Sequence, residues 1–526
     1  MDIESKLNVS QIPLQAILSQ TAKNLPEKTA IIQDNQKFTY YEIDQFSSRF
    51  AEALAVLDVK KSDRVALFLP NSPQFVIAYF GTLKAGAVVV AVNPLCKKDE
   101  VKRQLCDSGA QTIVVLDTLY PIVEVLTEYR IQLKNIIVAN LNVYSDTANI
   151  KTGADVLIFD TLIKNRPGKQ LTLQFDPNED LAVLQYTGGT TGVSKGVMLT
   201  HRNLVSNTCN FSSWLNGTAH DVFLSITPFS HVYGMTTNML TPIRLGATMV
   251  LLSKFDPVKS LQVIEHHRVT VFCGSPTMYA MLLASGKFEK CDLSSVRVCI
   301  SGASPLPLQI QKRFLQAGVF LVEGYGLTEA SPVTHCNPID KTVNGVKVGS
   351  IGVPLGDTEA QIVDLETGSR RLATGEKGEL SVRGPQVMRG YWQRPEETAQ
   401  VLSEDKWLLT GDIAYVDKTG YFFIVDRKKD LIKHKDYSVY PRELEEILYD
   451  HPAVGNCAVV GKPDGLVGEI PKAYVVLKEK AKVTSKELLE FVNGKVASYK
   501  AIGEIEFCKE LPTSPLGKIL KRALKP

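Results

Sequence analysis

No two cysteines in this chain stand in C-x-x-C spacing. The nine, at 96, 106, 209, 273, 291, 299, 336, 457 and 508, are odd in number and scattered. Free thiols in a reducing compartment are expected, and a structural zinc site is not. Charge of one sign is equally scarce: 59 Lys+Arg stand against 56 Asp+Glu, a net +3. So even a balance excludes nucleic acid or a membrane surface held by bulk charge. No apolar run reaches the roughly eighteen residues a membrane helix needs. The start, Met1-Asp2-Ile3-Glu4-Ser5-Lys6, shows no basic segment leading into an apolar one, and Arg522-Ala523-Leu524-Lys525-Pro526 is not a peroxisomal S-K-L address. The expected location is cytoplasmic, without stable membrane insertion. Glu265-His266-His267 reads as a solvated helix face and not as a metal ligand set.

At 526 residues the chain exceeds one ordinary core, so a large composite domain with a smaller one is expected. The runs Val65-Ala66-Leu67-Phe68-Leu69, Val88-Val89-Val90-Ala91-Val92 and Thr112-Ile113-Val114-Val115-Leu116 alternate with helix-like segments. A second such series comprises 222–224, 248–252, 269–272 and 296–300. This is the pattern of parallel βαβ units, predicting an α/β fold of two sheet-and-helix layers with ligands at the strand carboxyl ends.

Between the two series lies the stretch that carries most chemistry, Thr187-Gly188-Gly189-Thr190-Thr191-Gly192-Val193-Ser194-Lys195-Gly196. Apolar runs on both sides make it a tight connection between two strands, able to turn N–H groups and hydroxyls toward an anion, with Lys195 adding a point charge. The spacing is not Walker A. Gly192-Val193-Ser194-Lys195-Gly196 does fit G-x-S-x-G, but that elbow needs a helix after the serine, and Val197-Met198-Leu199 reads as a strand.

Other turns follow strands. Thr227-Pro228-Phe229-Ser230-His231-Val232-Tyr233-Gly234 presents a histidine, a tyrosine and a glycine as a candidate substrate wall. Gly302, Ala303 and Ser304 allow close backbone approach to a planar ligand. Gly324-Tyr325-Gly326-Leu327-Thr328-Glu329 has glutamate where a dinucleotide fingerprint has its third glycine; such a carboxylate suits Mg²⁺ held against phosphate oxygens. Beyond Gly345 short strands with Gly/Asp turns predict a small antiparallel subdomain, with Asp412 just after a strand and suited to a ribose diol. The charged run Asp426-Arg427-Lys428-Lys429-Asp430 reads as a linker. Past it, Pro441-Arg442-Glu443 opens a helix, and the chain ends in a proline- and glycine-framed loop carrying Lys518.

In this order and spacing, Thr187 to Gly196, Gly324 to Glu329, Thr410-Gly411-Asp412, residues 426–430 and Gly517-Lys518 resemble the adenylate-forming superfamily of acyl- and aryl-CoA synthetases, luciferase and peptide-synthetase adenylation domains. The resemblance runs nearly end to end. It implies an N-terminal AMP-binding domain over 1–425, a hinge at 426–430 and a small mobile α+β lid over 431–526. It also implies a two-step acid–thiol ligase using ATP, Mg²⁺ and coenzyme A: carboxylate and ATP give acyl-AMP and pyrophosphate, then a thiol displaces AMP.

By the same resemblance, Thr187, Gly188, Gly189, Thr190, Thr191, Gly192 and Lys195 cradle pyrophosphate, Glu329 binds Mg²⁺ and Thr328 meets the α-phosphate. Gly302, Ala303, Ser304, Gly324 and Tyr325 surround adenine, and Asp412 and Arg427 hold the ribose. Lys518 serves adenylation and Lys429 the hinge. Lys433 and Lys435 arrive for thioester formation, with Lys254 and Lys435 toward CoA phosphates.

The chain departs from the family in reading Lys433-His434-Lys435-Asp436-Tyr437, with Asp436 where related ligases commonly have glycine. The acceptor, CoA or a carrier protein, therefore stays open. Residues 246–256 and 328–338 are similar to bacterial medium- and long-chain fatty acyl-CoA ligases, and Gly234 and Met235 after His231-Val232-Tyr233 leave room for an apolar chain. An aryl acid fits the same frame, and a homodimer is left open.

Overall fold

Strands Arg64–Phe68, Val88–Ala91, Thr112–Leu116 and Asn135–Ala139 pair in parallel. Their side chains explain why: Val65, Ala66, Leu67 and Phe68 are all fully buried, as only strands covered on both faces can be. In this computed structural model, which describes residues 12–128, 131–141, 156–164, 166–169, 171–187, 194–339, 347–435, 437–514 and 517–525, they belong to an eight-stranded sheet. A nine-stranded sheet holds the second predicted series, Val222–Ser225, Thr248–Leu251, Val271–Gly274 and Val298–Ser301, also parallel. Val269, expected in the third of these, instead closes the preceding helix, its N–H donating to Ile264 O at 3.0 Å.

The candidate anion loop leaves Leu181–Thr187 and returns as Lys195–Thr200, antiparallel, with Thr187 opposite Lys195. The Ser194 hydroxyl donates to Thr187 O across the hairpin mouth. Gly188, Gly189, Thr190, Thr191 and Gly192 lie outside the described residues, as does Asp436. The return strand runs into helix His201–Trp214, whose start is set by reciprocal bonds: Asn203 N–H to Thr200 Oγ1 at 3.2 Å, and Thr200 N–H to Asn203 Oδ1 at 2.9 Å.

That helix then organises its neighbours through two buried amides. Asn203 Nδ2 donates to Pro385 O and Val387 O, each at 2.8 Å. Asn207 exchanges bonds with Val333, fixing strand Val333–Cys336. Buried amides so fully engaged specify register at a cost that apolar packing would not impose.

The predicted subdomain is a four-stranded antiparallel sheet of Glu359–Val363, Gly378–Arg383, Leu408–Val416 and Phe422–Arg427. Asp412 is not beyond a strand, as its turn-like context suggested, but inside one. Gly411 at φ 73° makes an irregularity within Leu408–Val416, and the pairing register shifts there. The last segment forms a five-stranded sheet around the hairpin Val454–Asp464 and Gly468–Leu477, packed by helices Pro441–Tyr449 and Ser485–Asn493. Among the described residues no helix is long and apolar enough to cross a membrane.

Candidate active site

Two strand ends, carrying Tyr325 and Arg427, and the C-terminal loop converge on Asp412. Its side chain is 6% exposed, with Oδ1 2.9 Å from Arg427 Nε and Oδ2 accepting from the Tyr325 hydroxyl at 2.6 Å. Asp412 and Arg427 are cross-strand partners, so the antiparallel ladder itself sets them face to face. Asp412 in turn holds the Arg427 guanidinium even more firmly protonated than usual. Burial first, and the Asp412 charge second, drive the Tyr325 phenol far above its ordinary value.

The C-terminal loop places Lys518 among these groups. Its ammonium is held down to about 8, by burial first and by the Arg427 charge second, with Asp412 opposing and Lys429 adding. The loop is closed by bonds of Gly517 N–H to Ser514 O at 2.8 Å and Ser514 N–H to Lys518 O at 2.7 Å. It rests on helix Pro276–Ala284: the Thr277 hydroxyl donates to Gly517 O at 3.5 Å. Gly517 sits at φ 77°, and a Cβ there would come within 2.4 Å of Thr277 Oγ1, so this contact needs glycine. Lys429, in the linker, is also lowered to about 8 by burial and by Arg427.

His231 lies near Lys518. Burial first and Lys518 second hold its imidazole down to about 4, leaving it neutral. Tyr233 lies behind it, its hydroxyl donating to Ile300 O at 2.9 Å, and its ring fills the space a side chain at Gly302 would take, 2.9 Å from that absent Cβ. Ala303 follows at φ 70°. Gly234 needs correcting: a Cβ there would lie 2.3 Å from Pro228 O and 2.4 Å from Thr227 O. Its smallness serves the turn's own packing, so the absent side chain by itself opens no space.

A second group lies at the hairpin mouth. Lys195 Nζ is 2.5 Å from Glu397 Oε2 and 4.8 Å from the centre of the Tyr391 ring. The Tyr391 hydroxyl donates to Glu329 Oε1 at 2.8 Å. Thr328 and Glu329 form a single 3₁₀ turn, Thr328–Ala330, just past strand Leu321–Gly326 that carries Gly324 and Tyr325.

Sequence reasoning missed Tyr391 and Glu397. Pro395-Glu396-Glu397 carries no sign of the ion pair, because a partner as far off in the chain as Lys195 leaves no local trace.

Lys433 and Lys435 stand elsewhere. Both are exposed, Lys435 at φ 53° with its N–H on Val467 O at 2.7 Å; among the described residues no ion pair joins either to Asp412, nor a hydrogen bond either to Lys518. Lys254 lines a separate half-open cavity of about 340 Å³ with Gln33, Asp34, Ser253, Asp256 and Lys259. The described residues contain no cluster of three or more potential metal ligands.

Residues 18–392 match the family described as AMP-binding enzyme, and 443–518 match its C-terminal domain. The chain is 43% identical over 541 aligned residues to a long-chain-fatty-acid–CoA ligase of Bacillus subtilis, covering 99% of this chain and 96% of that one. A Salmonella typhimurium protein of the same name is 35% identical, over 100% and 96%. Among solved structures, an ATP-bound RpMatB-BxBclM chimera superposes with TM-score 0.90 at 28% identity, over 98% of both chains. An anthranilate CoA ligase, AuaEII, in complex with anthranoyl-AMP gives 0.88 at 28%, over 98% and 96%. With a matching architecture and a match over most of its length, this chain belongs to the AMP-binding enzyme family.

Proposed function

We propose that the chain is an AMP-forming acid–thiol ligase that activates a medium- or long-chain fatty acid with ATP to acyl-AMP and pyrophosphate, then passes the acyl group to coenzyme A. The observation that carries this reading is the seating of Lys518 beside the Asp412–Arg427 pair. Relatives named long-chain-fatty-acid–CoA ligases support the acyl class. The likeness to AuaEII is the ground for the second reading, an aryl acid.

The donor set fits the ligands. Asp412 offers a buried carboxylate to the ribose diol with Arg427 beside it, and the backbone of Gly302, Ala303, Ser304 and Gly324, with Tyr325, is assigned to adenine by the family resemblance. Thr187 to Gly192 and Lys195 receive the pyrophosphate end, and Thr328 the α-phosphate. Glu329 has one oxygen on Tyr391, and among the described residues the other accepts no hydrogen bond. That is what Mg²⁺ needs, since it binds through a carboxylate or two plus phosphate and water oxygens. When bound, Mg²⁺ supplies charge neutralisation at the polyphosphate.

The carboxylate attacks the α-phosphate in line, so the chain's task is positioning and charge stabilisation. Lys518 supplies positive charge to the attacking carboxylate and bridging oxygen, and neutral His231 borders the acyl end without repelling Lys518. Rotation of 431–526 about 426–430, with Lys429 as pivot, then withdraws Lys518 and brings Lys433 and Lys435 to the site. Lys254 and Lys435 meet the CoA phosphates.

ATP–pyrophosphate exchange and CoA-dependent AMP release, measured over a panel of alkyl and aryl acids, test the reading. Exchange and thioester with long-chain acids are expected. No exchange with any acid would sink it, best turnover with an aryl acid would favour the second reading, and exchange without CoA-dependent thioester would point to a carrier-protein acceptor.

A further inference from the structure

Lys195 is paired in this structure with a group that has no counterpart in the nucleotide: the Glu397 carboxylate, 2.5 Å away, on the short helix Pro395–Ala399. The pair is neither deep nor fully exposed, the two side chains being 19% and 33% accessible. Glu397 also has a second cation, Arg394, at 3.4 Å, which is itself 3.4 Å from Asp107. If Lys195 turns toward another anion, Arg394 still faces Glu397. Exchange of the ammonium between two acceptors is thereby cheap.

The mounting of Glu397 is rigid. Strand Gly390–Tyr391 pairs with Lys195–Thr200, Tyr391 standing opposite Val197, and the Trp392 N–H donates to Gly196 O at 2.7 Å. The Met388 N–H donates to Glu329 O at 2.7 Å. Tyr391 lies between, its ring against the Lys195 ammonium and its hydroxyl on Glu329. Thus the segment 388–392 is strapped by backbone bonds to the carriers of both polyphosphate-facing charges, and the Tyr391 N–H donating to Thr398 Oγ1 at 2.9 Å ties the short helix to it. It holds a carboxylate where one of those charges can reach it.

We propose that Glu397 is a built-in competitor for Lys195: it shares the ammonium with the pyrophosphate end of the ligand, weakening its grip and so speeding release of the leaving group after adenylation. Resting on the reading of Lys195 as a pyrophosphate contact, this makes Glu397 a positioning residue that acts through Lys195. An ammonium relieved of a carboxylate partner attracts a polyanion more strongly, and the effect is screened by salt.

Titration calorimetry of the full chain with magnesium pyrophosphate, in the absence of acid substrate, decides it. Glu397→Gln should bind pyrophosphate about 2- to 5-fold more tightly than the unsubstituted protein at low ionic strength, the gain shrinking as salt is added. Glu397→Asp, which keeps the charge but withdraws it, should give a smaller gain. In steady state, inhibition by pyrophosphate should strengthen by the same factor. A merely structural role would not raise affinity. Unchanged or weaker binding by Glu397→Gln would overturn the proposal while leaving Lys195 in its role. Binding indifferent to Lys195→Met would remove that role, and the proposal with it. A gain that disappears in the Lys195→Met background supports it.

Discussion

The Tyr325 hydroxyl donates to Asp412 Oδ2 at 2.6 Å while Arg427 Nε holds Oδ1 at 2.9 Å. Both donors therefore depend on one carboxylate, and that carboxylate is the proposed ribose contact. Replacing Asp412 with Asn removes the charge and leaves Arg427 without its ion partner. We expect a stability loss of about 1–3 kcal/mol, as for a buried charged hydrogen bond. The ATP KM should rise about 10- to 100-fold through loss of a charged hydrogen bond to the diol. Thermal denaturation and exchange kinetics check this, and an unchanged ATP KM would remove Asp412 from the nucleotide site.

Glu323, two residues before Tyr325, is buried and accepts from the Leu306 N–H at 3.3 Å. Burial pushes its carboxyl up from 4.5 to about 7, against the pull of Arg442. The folded protein thus keeps a proton that the unfolded chain has released between these two values. Stability from this group falls as pH rises through that window and is flat above it. Glu323→Gln keeps the acceptor and removes the titration. It should therefore stabilise the fold at pH 8 by on the order of 2 kcal/mol, seen as a higher Tm, and leave stability unchanged near pH 4. A shift independent of pH would contradict this.

How far the chain could be read before its structure differs by element. The strands of the two large sheets were legible because Val65 to Phe68 and their like are continuous apolar runs, which parallel burial demands. The hairpin at Thr187 and Lys195 was legible because glycines and threonines there interrupt two such runs. Asp412 was misplaced because Gly411 looks like a turn residue, whereas the strand tolerates its positive φ as an irregularity. Gly234 was misread because an absent side chain says nothing about what fills its place, here the carbonyls of Thr227 and Pro228. Glu397 was invisible because its partner, Lys195, is fixed only by tertiary pairing of Gly390–Tyr391 with the return strand.

The C-terminal loop meets the rest of the protein at Gly517 and Thr277, which gives a test of domain alternation. Gly517→Ala meets both a left-handed φ of 77° and Thr277 Oγ1 at 2.4 Å. The conformation alone costs about 1–2 kcal/mol. It should therefore slow adenylation about 10-fold, while thioester formation from preformed acyl-AMP, which needs the loop withdrawn, is spared. Lys518→Ala should show the same split more strongly. Equal loss in both half-reactions would refute the alternating role.

The pH dependence of adenylation should carry the signature of Lys518. Its ammonium is lowered to about 8 by burial and by Arg427, and only the charged form can stabilise the attacking carboxylate. The value of kcat/KM for exchange reports the free enzyme, so it should bend downward as pH rises through about 8. His231, held near 4, imposes no matching fall between pH 5 and 7. Lysine 429 titrates in the same region, so the wild-type profile alone does not separate the two. Lys518→Arg does, because a guanidinium stays charged throughout: its activity is reduced, but the bend near 8 should be lost or shifted. A bend that persists unchanged in Lys518→Arg would assign it to Lys429 and overturn the assignment to Lys518.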